Sequence, residues 1–325
     1  MTTNQVSVGL AGGPTDPGGP ASSPIDPASR AEWLTCADGQ RLFCWWLCPA
    51  HPRGVVWYVL GLEGGDAPPY PRLSKALLDA GFAVALVHPR GTGHSPGRRG
   101  DVDDLGRLLG DCRCFRAEID HRFPDVPVFL VGHSAGAAFA AEVAATGTAA
   151  VAGVVLVNAA YRLRAAEGMT PTWRQYTAYA MNFLFRPSAA VVDMNSRPAL
   201  VSFAPDREEG LAMQRDPLVV RRFSMRMLLA QKRLMDRLPA NVAALNLPVL
   251  VVQGAHDALV DPKGNDELLA CAKAAGSAKL IVPDGGHGSS AVETAVEPLV
   301  RWLEAQQAAG AAAVPGSIGR ARMPA

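Results

Sequence analysis

The sequence predicts an α/β fold in which helices flank both faces of a mostly parallel sheet and a helical cap is inserted between two core strands. Three observations support this prediction. Strand-like and helix-like segments alternate along most of the chain. The strands are continuous Val and Leu runs, which are typical of strands covered on both faces. The alternation stops between residues 161 and 246 and then resumes, as expected for an insertion.

Composition excludes several classes of protein. The chain has 325 residues, of which 49% are hydrophobic and 19% are charged, as in globular proteins. Its 31 basic and 30 acidic residues nearly cancel, so we expect no nucleic-acid partner. No uninterrupted apolar run approaches the roughly 18 residues that a membrane span needs, and the start of the chain does not resemble a secretory signal. We therefore expect a cytoplasmic protein, whose oligomeric state the sequence leaves open.

The six cysteines are predicted to be reduced and mainly structural. They show no paired spacing with nearby histidines, and a chain of this length can bury a core without covalent links. Their positions are Cys36, Cys44, Cys48, Cys112, Cys114 and Cys271.

The two ends of the chain differ in composition from its middle. Residues 1–29 are rich in Gly, Pro, Ser and Thr, and we expect a disordered arm. Residues 307–325 are predicted to be a disordered tail, although its alanine-rich start can extend the last helix by one or two turns. The core is predicted to comprise residues 30–160 and 247–306, and the cap residues 161–246.

Local sequence patterns predict each strand and helix of the core. Two short edge strands surround an Ala-Asp-Gly-Gln turn, Gly81 closes the first helix, and buried apolar runs mark the later strands. The predicted strands are 32–36, 41–48, 54–60, 82–88, 126–132, 151–159, 247–254 and 278–283. The predicted helices are 71–81, 101–123, 134–146, 262–275 and 291–306.

A candidate nucleophile lies where the strand at 126–132 runs into Gly132-His133-Ser134-Ala135-Gly136 and then into an alanine-rich helix. A strand, a tight turn and a helix are the setting of a nucleophile elbow. Ser134 must there adopt a strained backbone so that its hydroxyl stands clear of the sheet. The flanking glycines remove side chains that would collide with the neighbouring strand and helix.

Candidate partners for Ser134 follow later strands. A serine hydroxyl needs a base that is itself held by an acid, and in this architecture the chain order is Ser, Asp or Glu, then His. Asp257 follows the strand at 247–254, and His287 lies in a Gly-rich loop after the strand at 278–283. Asp261 remains an alternative acid. His133 lies in the elbow itself, but the geometry that exposes Ser134 should point it away.

These motifs carry a resemblance to the α/β-hydrolase superfamily, and most closely to its monoacylglycerol lipase and lysophospholipase branch. The resemblance spans residues 32–305. It rests on GHSAG, QGAHDALVDP, PDGGHG, the segment HPRGTGHSPGRRGDVDD at 88–104 and, in the cap, DPLVVRR at 216–222. It implies that Ser134 is the nucleophile, that His287 is the general base and acid, and that Asp257 orients the imidazole and stabilises its charged form.

The resemblance also implies an oxyanion hole made of two backbone N–H groups. One belongs to Ala135, which follows the nucleophile, and the other is assigned to Leu62. The family usually has His-Gly after the preceding strand, whereas this chain has Leu60 before Gly61. The N–H of Leu62 can donate whatever its side chain is, but the missing histidine affects the loop geometry. Glu63 is either a turn residue or a participant in the reaction.

The composition of the cap also bears on the substrate. Its methionines suit a surface that accommodates acyl chains of varied shape, or they simply fill a small irregular domain. The cap carries 13 basic residues against 7 acidic ones, a net charge of +6. This excess attracts an anionic head group or membrane surface, or it is a solvated arginine face.

The favoured function is hydrolysis of a lipid-like monoester, such as a monoacylglycerol or lysophospholipid, by a serine hydrolase that forms an acyl-enzyme. The same triad could act on a thioester, an amide or a carbon–carbon bond. A non-catalytic binding protein on a hydrolase fold is the third hypothesis. Triad chemistry requires no cofactor or metal, so we expect neither.

Overall fold

The computed structural model describes residues 29–60, 64–65, 70–147, 151–164, 173–193 and 206–313. The predicted N-terminal arm lies outside these residues except for Ser29. The described strands, numbered in chain order, are β1 (Ser29–Thr35), β2 (Arg41–Leu47), β3 (Gly54–Val59), β4 (Phe82–His88), β5 (Val128–His133), β6 (Gly153–Val157), β7 (Ala190–Asp193), β8 (Arg222–Ser224), β9 (Val249–Gly254) and β10 (Ala278–Val282). The described helices are α1 (Pro71–Asp79), α2 (Leu105–Arg122), α3 (Ala135–Ala145), α4 (Trp173–Phe185), α5 (Arg207–Arg215), α6 (Met225–Ala244), α7 (Pro262–Cys271), α8 (Ser290–Glu293) and α9 (Val296–Ala313).

Eight strands form one sheet in the order β1-β2-β4-β3-β5-β6-β9-β10. The pairs β1–β2 and β2–β4 are antiparallel, and all the other pairs are parallel. Consequently β4, β3, β5, β6, β9 and β10 all end at the same edge. The predicted α/β fold, mostly parallel with an antiparallel edge, is confirmed.

Two hydrophobic clusters cover the two faces of the sheet. One contains Phe115 of α2, Phe139 of α3 and Leu238 of α6, and the other contains Leu73 of α1 and Leu299 of α9. Strands β3, β4, β6 and β9 are buried along their whole length. This two-sided burial explains why they are continuous apolar runs without alternation.

The helix ends differ from the predicted ones for local reasons. Helix α2 begins at Leu105 because the Asp104 side chain accepts a hydrogen bond from the N–H of Gly106 and caps the helix. The predicted last helix is divided into α8 and α9. Helix α9 continues to Ala313, beyond the predicted end at residue 306. This is the extension of one or two turns expected for the alanine-rich start of the tail, since alanine is the strongest helix former.

The insertion at 161–246 is not wholly helical where it is described. Strands β7 and β8 pair as an antiparallel ribbon. Helix α6 packs against α3, and its Leu234, Leu238 and Val242 belong to the same hydrophobic cluster as the sheet. The last helix of the predicted cap range therefore covers the core. Among the described helices, none combines the length and the apolar character that crossing a membrane demands.

The cysteine prediction is wrong for one pair. Cys36, just after β1, forms a disulfide with Cys114 of α2, although the two residues are 78 positions apart. Packing of α2 across the edge hairpin brings their Cα atoms within 5.7 Å, which no local spacing reveals. The other four cysteines are free, and burial raises the pKa of the Cys44 and Cys112 thiols.

The disulfide predicts the number of free thiols and a contribution to stability. Denatured, unreduced protein should yield four titratable thiols, and reduced protein six. Cys114→Ser should lower the free energy of unfolding by about 2–4 kcal/mol, because the link restricts a long loop in the unfolded chain. Urea denaturation measures this change, and Cys271→Ser is the matched control. Six thiols before reduction would contradict the disulfide.

Candidate active site

Ser134 occupies a strained turn between β5 and α3. Its φ of 53° and ψ of −118° lie in a region that residues other than glycine seldom adopt. Its N–H donates to the carbonyl of Val157 on the neighbouring strand at 2.9 Å, which holds the turn in place. A Cβ atom on Gly132 would lie 2.4 Å from the carbonyl oxygen of Gly136. The close approach of strand and helix therefore requires glycine at position 132.

His287 connects this serine to a carboxylate. Its Nε2 atom is 3.0 Å from Ser134 Oγ, and its Nδ1 atom is 3.0 Å from Asp257 Oδ2. The Asp257 side chain is fully buried, and the His287 side chain is 16% exposed. The loops after β9 and β10 bring these side chains to the elbow, because the parallel strands end at one edge. The three residues form one continuous chain of hydrogen bonds.

The surroundings of Asp257 keep it ionised. Burial favours the neutral acid, but the hydrogen bond to His287 and those from the N–H groups of Leu259 and Val260, at 2.8 and 2.9 Å, outweigh it. The pKa of Asp257 therefore lies below its ordinary value. An ionised Asp257 accepts the proton of Nδ1, which leaves Nε2 free to accept the hydroxyl proton of Ser134.

The alternative acid, Asp261, has a different position. It is the N-cap of α7, and its side chain accepts a hydrogen bond from the N–H of Lys263 at 3.1 Å. Its own N–H donates to the carbonyl of Arg162. These contacts are those of a helix cap and leave Asp257 as the carboxylate on His287.

Sequence reasoning missed Asn158, which follows β6 and is fully buried. Its amide nitrogen donates to the carbonyls of Gly286 and His287 at 2.8 and 2.9 Å, and its Oδ1 accepts from the N–H of Gly254 at 2.8 Å. Its φ of 43° is of the kind that asparagine tolerates better than most residues. A polar residue ending the apolar run at 151–159 was the only signal available for it.

His133 supports the same loop. Its Nε2 donates to the carbonyl oxygen of His287 at 2.5 Å, and the centroids of the two imidazole rings are 5.2 Å apart. Burial, and the charge that His287 can carry, lower the pKa of His133 to about 4. A neutral His133 and Asn158 therefore hold the backbone of His287 from the side of the core.

The oxyanion-hole candidates are only partly described. Ala135 is the first residue of α3, where a backbone N–H has no acceptor within the helix. Leu62 and Glu63 lie outside the described residues. Nearby, a Cβ atom on Gly64 would lie 3.0 Å from the N atom of Gly93, so Gly64 packs closely against the segment after β4.

The described residues contain no group of three or more His, Cys, Asp or Glu side chains that could hold a metal ion. The groups that they do bring together at this site are a hydroxyl, an imidazole, a carboxylate and a helix N–H. These are the groups that nucleophilic attack by a serine and proton transfer through a histidine employ.

Comparisons with known proteins identify the family. The sequence profile of the family described as "Serine aminopeptidase, S33" matches residues 50–290. The monoglyceride lipase of Homo sapiens is 30% identical over 246 residues, which are 74% of this chain and 77% of that protein. The monoacylglycerol lipase of Mycolicibacterium smegmatis is 27% identical over 221 residues, which are 68% of this chain and 76% of that protein.

Solved structures agree with the sequence comparisons. The monoacylglycerol lipase of Paleococcus ferrophilus is 25% identical, with a TM-score of 0.66 over 82% of this chain and 99% of that one. A soluble variant of the Saccharomyces cerevisiae monoglyceride lipase is 20% identical and shares the fold, with a TM-score of 0.71 over 85% of this chain and 94% of that one. The chain therefore belongs to the serine aminopeptidase S33 family and is an α/β-hydrolase of the monoacylglycerol lipase branch, a hydrolase of the esterase and lipase type.

Proposed function

We propose that the chain is a serine hydrolase that cleaves carboxylic esters through an acyl-enzyme intermediate. The observation that carries this proposal is the hydrogen-bonded chain of Ser134, His287 and Asp257, with two contacts of 3.0 Å, on a strained turn before a helix. A nucleophile, a base and an orienting acid in this order are what acyl transfer requires.

The first half of the proposed reaction forms the acyl-enzyme. His287 Nε2 takes the proton of Ser134 Oγ as that oxygen attacks the ester carbonyl carbon. The resulting oxyanion accepts hydrogen bonds from the N–H groups of Ala135 and Leu62. When the intermediate collapses, the bond to the alcohol breaks and His287 gives its proton to the departing oxygen.

The second half releases the acid. A water molecule gives a proton to His287 Nε2 and attacks the acyl carbon. When the intermediate collapses, the bond from the acyl carbon to Ser134 Oγ breaks, His287 returns its proton to that oxygen, and the carboxylic acid is released. Throughout, Asp257 holds the imidazole by its Nδ1 proton and offsets the positive charge that the ring acquires. Its lowered pKa supports this role, because the carboxylate must remain charged.

For the substrate we propose a lipid-like monoester, a monoacylglycerol or a lysophospholipid. Several relatives are named monoglyceride lipases, which supports the first of these. An amide is the second candidate, because the family is described as one of aminopeptidases. The same triad could also cleave a thioester or a carbon–carbon bond. A purely binding role has less support, since the nucleophile, the base and the acid are all in contact.

We further propose that the insertion makes transient contact with a membrane surface. Helix α4 exposes large apolar side chains near two arginines, Arg174 and Arg186, and the insertion carries a net charge of +6. Apolar side chains beside basic ones are typical of helices that lie at the surface of anionic bilayers. The exposed apolar residues of α4 are Trp173, Met181, Phe183, Leu184 and Phe185.

A cytoplasmic location stays a prediction, and one observation opposes it. The disulfide between Cys36 and Cys114 is typical of proteins in oxidising compartments. A thiol count on protein that is alkylated at the moment of cell lysis and then denatured tests this prediction: four free thiols favour an oxidising compartment, and six favour the cytoplasm.

The proposed function predicts serine-dependent turnover of p-nitrophenyl esters from acetate to palmitate. Wild type should be most active on medium or long acyl chains, and Ser134→Ala should be inactive because the nucleophile is gone. Activity confined to acetate would keep the triad and remove the lipid substrate. No turnover and no covalent labelling of Ser134 by a fluorophosphonate would favour the binding role. Thioesters and amides of the best acyl chain test the remaining chemistries.

The position of the acid predicts a contrast between two aspartates. Asp257→Asn should lower kcat by about a thousandfold to ten-thousandfold, because an amide at that position favours the wrong tautomer of His287. Asp261→Asn is the matched control and should keep near-wild-type kcat, because asparagine also caps a helix. Steady-state kinetics on the best ester measure both. The reverse pattern would assign the acid to Asp261.

Membrane contact through α4 predicts a loss of vesicle binding in the double variant Leu184→Ser, Phe185→Ser. The fraction of protein that sediments with phosphatidylglycerol vesicles should fall several-fold. Hydrolysis of a soluble short ester should stay unchanged, because neither side chain belongs to the triad. Ile281→Ser is the control, since Ile281 is 58% exposed against 69% and 72% for the α4 residues. An equal loss in the control would contradict the proposed surface.

A further inference from the structure

Two carboxylates of the insertion bind the backbone just after His287. Asp206, at the start of α5, accepts hydrogen bonds from the N–H groups of Gly288 at 2.8 Å and Ser290 at 3.0 Å. Glu209, in the first turn of α5, accepts from the N–H of Ser289 at 2.7 Å. Three consecutive amides of the loop that carries His287 are therefore held by the insertion.

The local geometry is fitted to this contact. Asp206 is the N-cap of α5, yet its side chain makes no capping hydrogen bond to its own helix. An aspartate at this position ordinarily binds the second or third N–H of the helix that it begins. A Cβ atom on Gly288 would lie 2.5 Å from Glu209 Oε2 and 2.8 Å from Asp206 Cγ, so the approach of both carboxylates requires glycine there.

The backbone of His287 is thus held both at its own carbonyl group and at the three residues that follow it. On its own carbonyl side, Asn158 and His133 of the core donate to its oxygen. After His287 in the chain, the N–H groups of residues 288–290 donate to the carboxylates of Asp206 and Glu209. The imidazole must keep two contacts of 3.0 Å at once, and both networks restrict the backbone that carries it.

We propose that Asp206, assisted by Glu209, is a positioning residue for His287 and couples the insertion to the triad. This inference rests on the proposed function, in which His287 is the base. Misplacing a catalytic group by about 1 Å can cost a hundredfold in rate. Loss of the carboxylate should therefore lower kcat and leave KM nearly unchanged, because Asp206 acts on the loop and not on the ester.

The test compares Asp206→Ala and Asp206→Asn with wild type, and Glu208→Ala is the matched control. Glu208 is an exposed acid on the same turn of α5. We measure kcat and KM on the best p-nitrophenyl ester, the second-order rate of fluorophosphonate labelling of Ser134, and hydrogen exchange at the amides of 288–290.

For Asp206→Ala we expect kcat and the labelling rate to fall together by about 10- to 100-fold, KM to change less than about threefold, and the three amides to exchange faster. Asp206→Asn retains one acceptor oxygen and should lie between Asp206→Ala and wild type. Glu208→Ala should match wild type in every measurement. If Asp206→Ala does not fold, Asp206→Asn and Glu209→Gln carry the same comparison.

Three outcomes would overturn the positioning role. Faster amide exchange with unchanged kcat and labelling would make the contact a structural anchor only. A raised KM with unchanged kcat would move Asp206 to substrate binding. Equal losses in Glu208→Ala would make the effect one of general surface charge. Wild type that neither labels nor turns over would instead overturn the proposed function, and the positioning role with it.

Discussion

The left-handed turn at Ser134 is the constraint on which the rest of the site depends. A serine at φ 53° is strained by about 1–3 kcal/mol and persists only where its surroundings hold it. Here the N–H of Ser134 is bound to β6, and Gly132 lets α3 approach β5. Helix α3, which consists largely of alanine, packs between the sheet and α6 and is buried along most of its length.

The other two members of the hydrogen-bonded chain lie on loops, which are less rigid than strands and need support of their own. Asp257 is held by two N–H groups of its own loop. The His287 loop has one local side-chain contact, from the N–H of Gly286 to Ser290 Oγ, and its backbone is bound in addition by Asn158 and His133 of the core and by Asp206 and Glu209 of the insertion. Precise placement of one imidazole thus draws on residues from separate segments of the chain.

The parts of this arrangement that follow from local pattern could be predicted from the sequence. Parallel strands end at one edge, so Ser134, Asp257 and His287, each placed after a strand, were expected to meet there, and the structure brings them within hydrogen-bond distance. The Cys36–Cys114 pair, Asn158 and Asp206 could not be predicted. Each acts on a partner 78 or more positions away, and, unlike the triad, none is marked by a motif that names its partner.

The two roles that we propose for the insertion constrain each other. If it faces the lipid through α4 and holds His287 through α5, then displacing α5 to admit a substrate breaks three hydrogen bonds to the catalytic loop. The base would lose its position at the moment when the ester arrives. If both proposals hold, substrate access leaves α5 against the loop, and α5 then acts with the core although its sequence lies within the insertion.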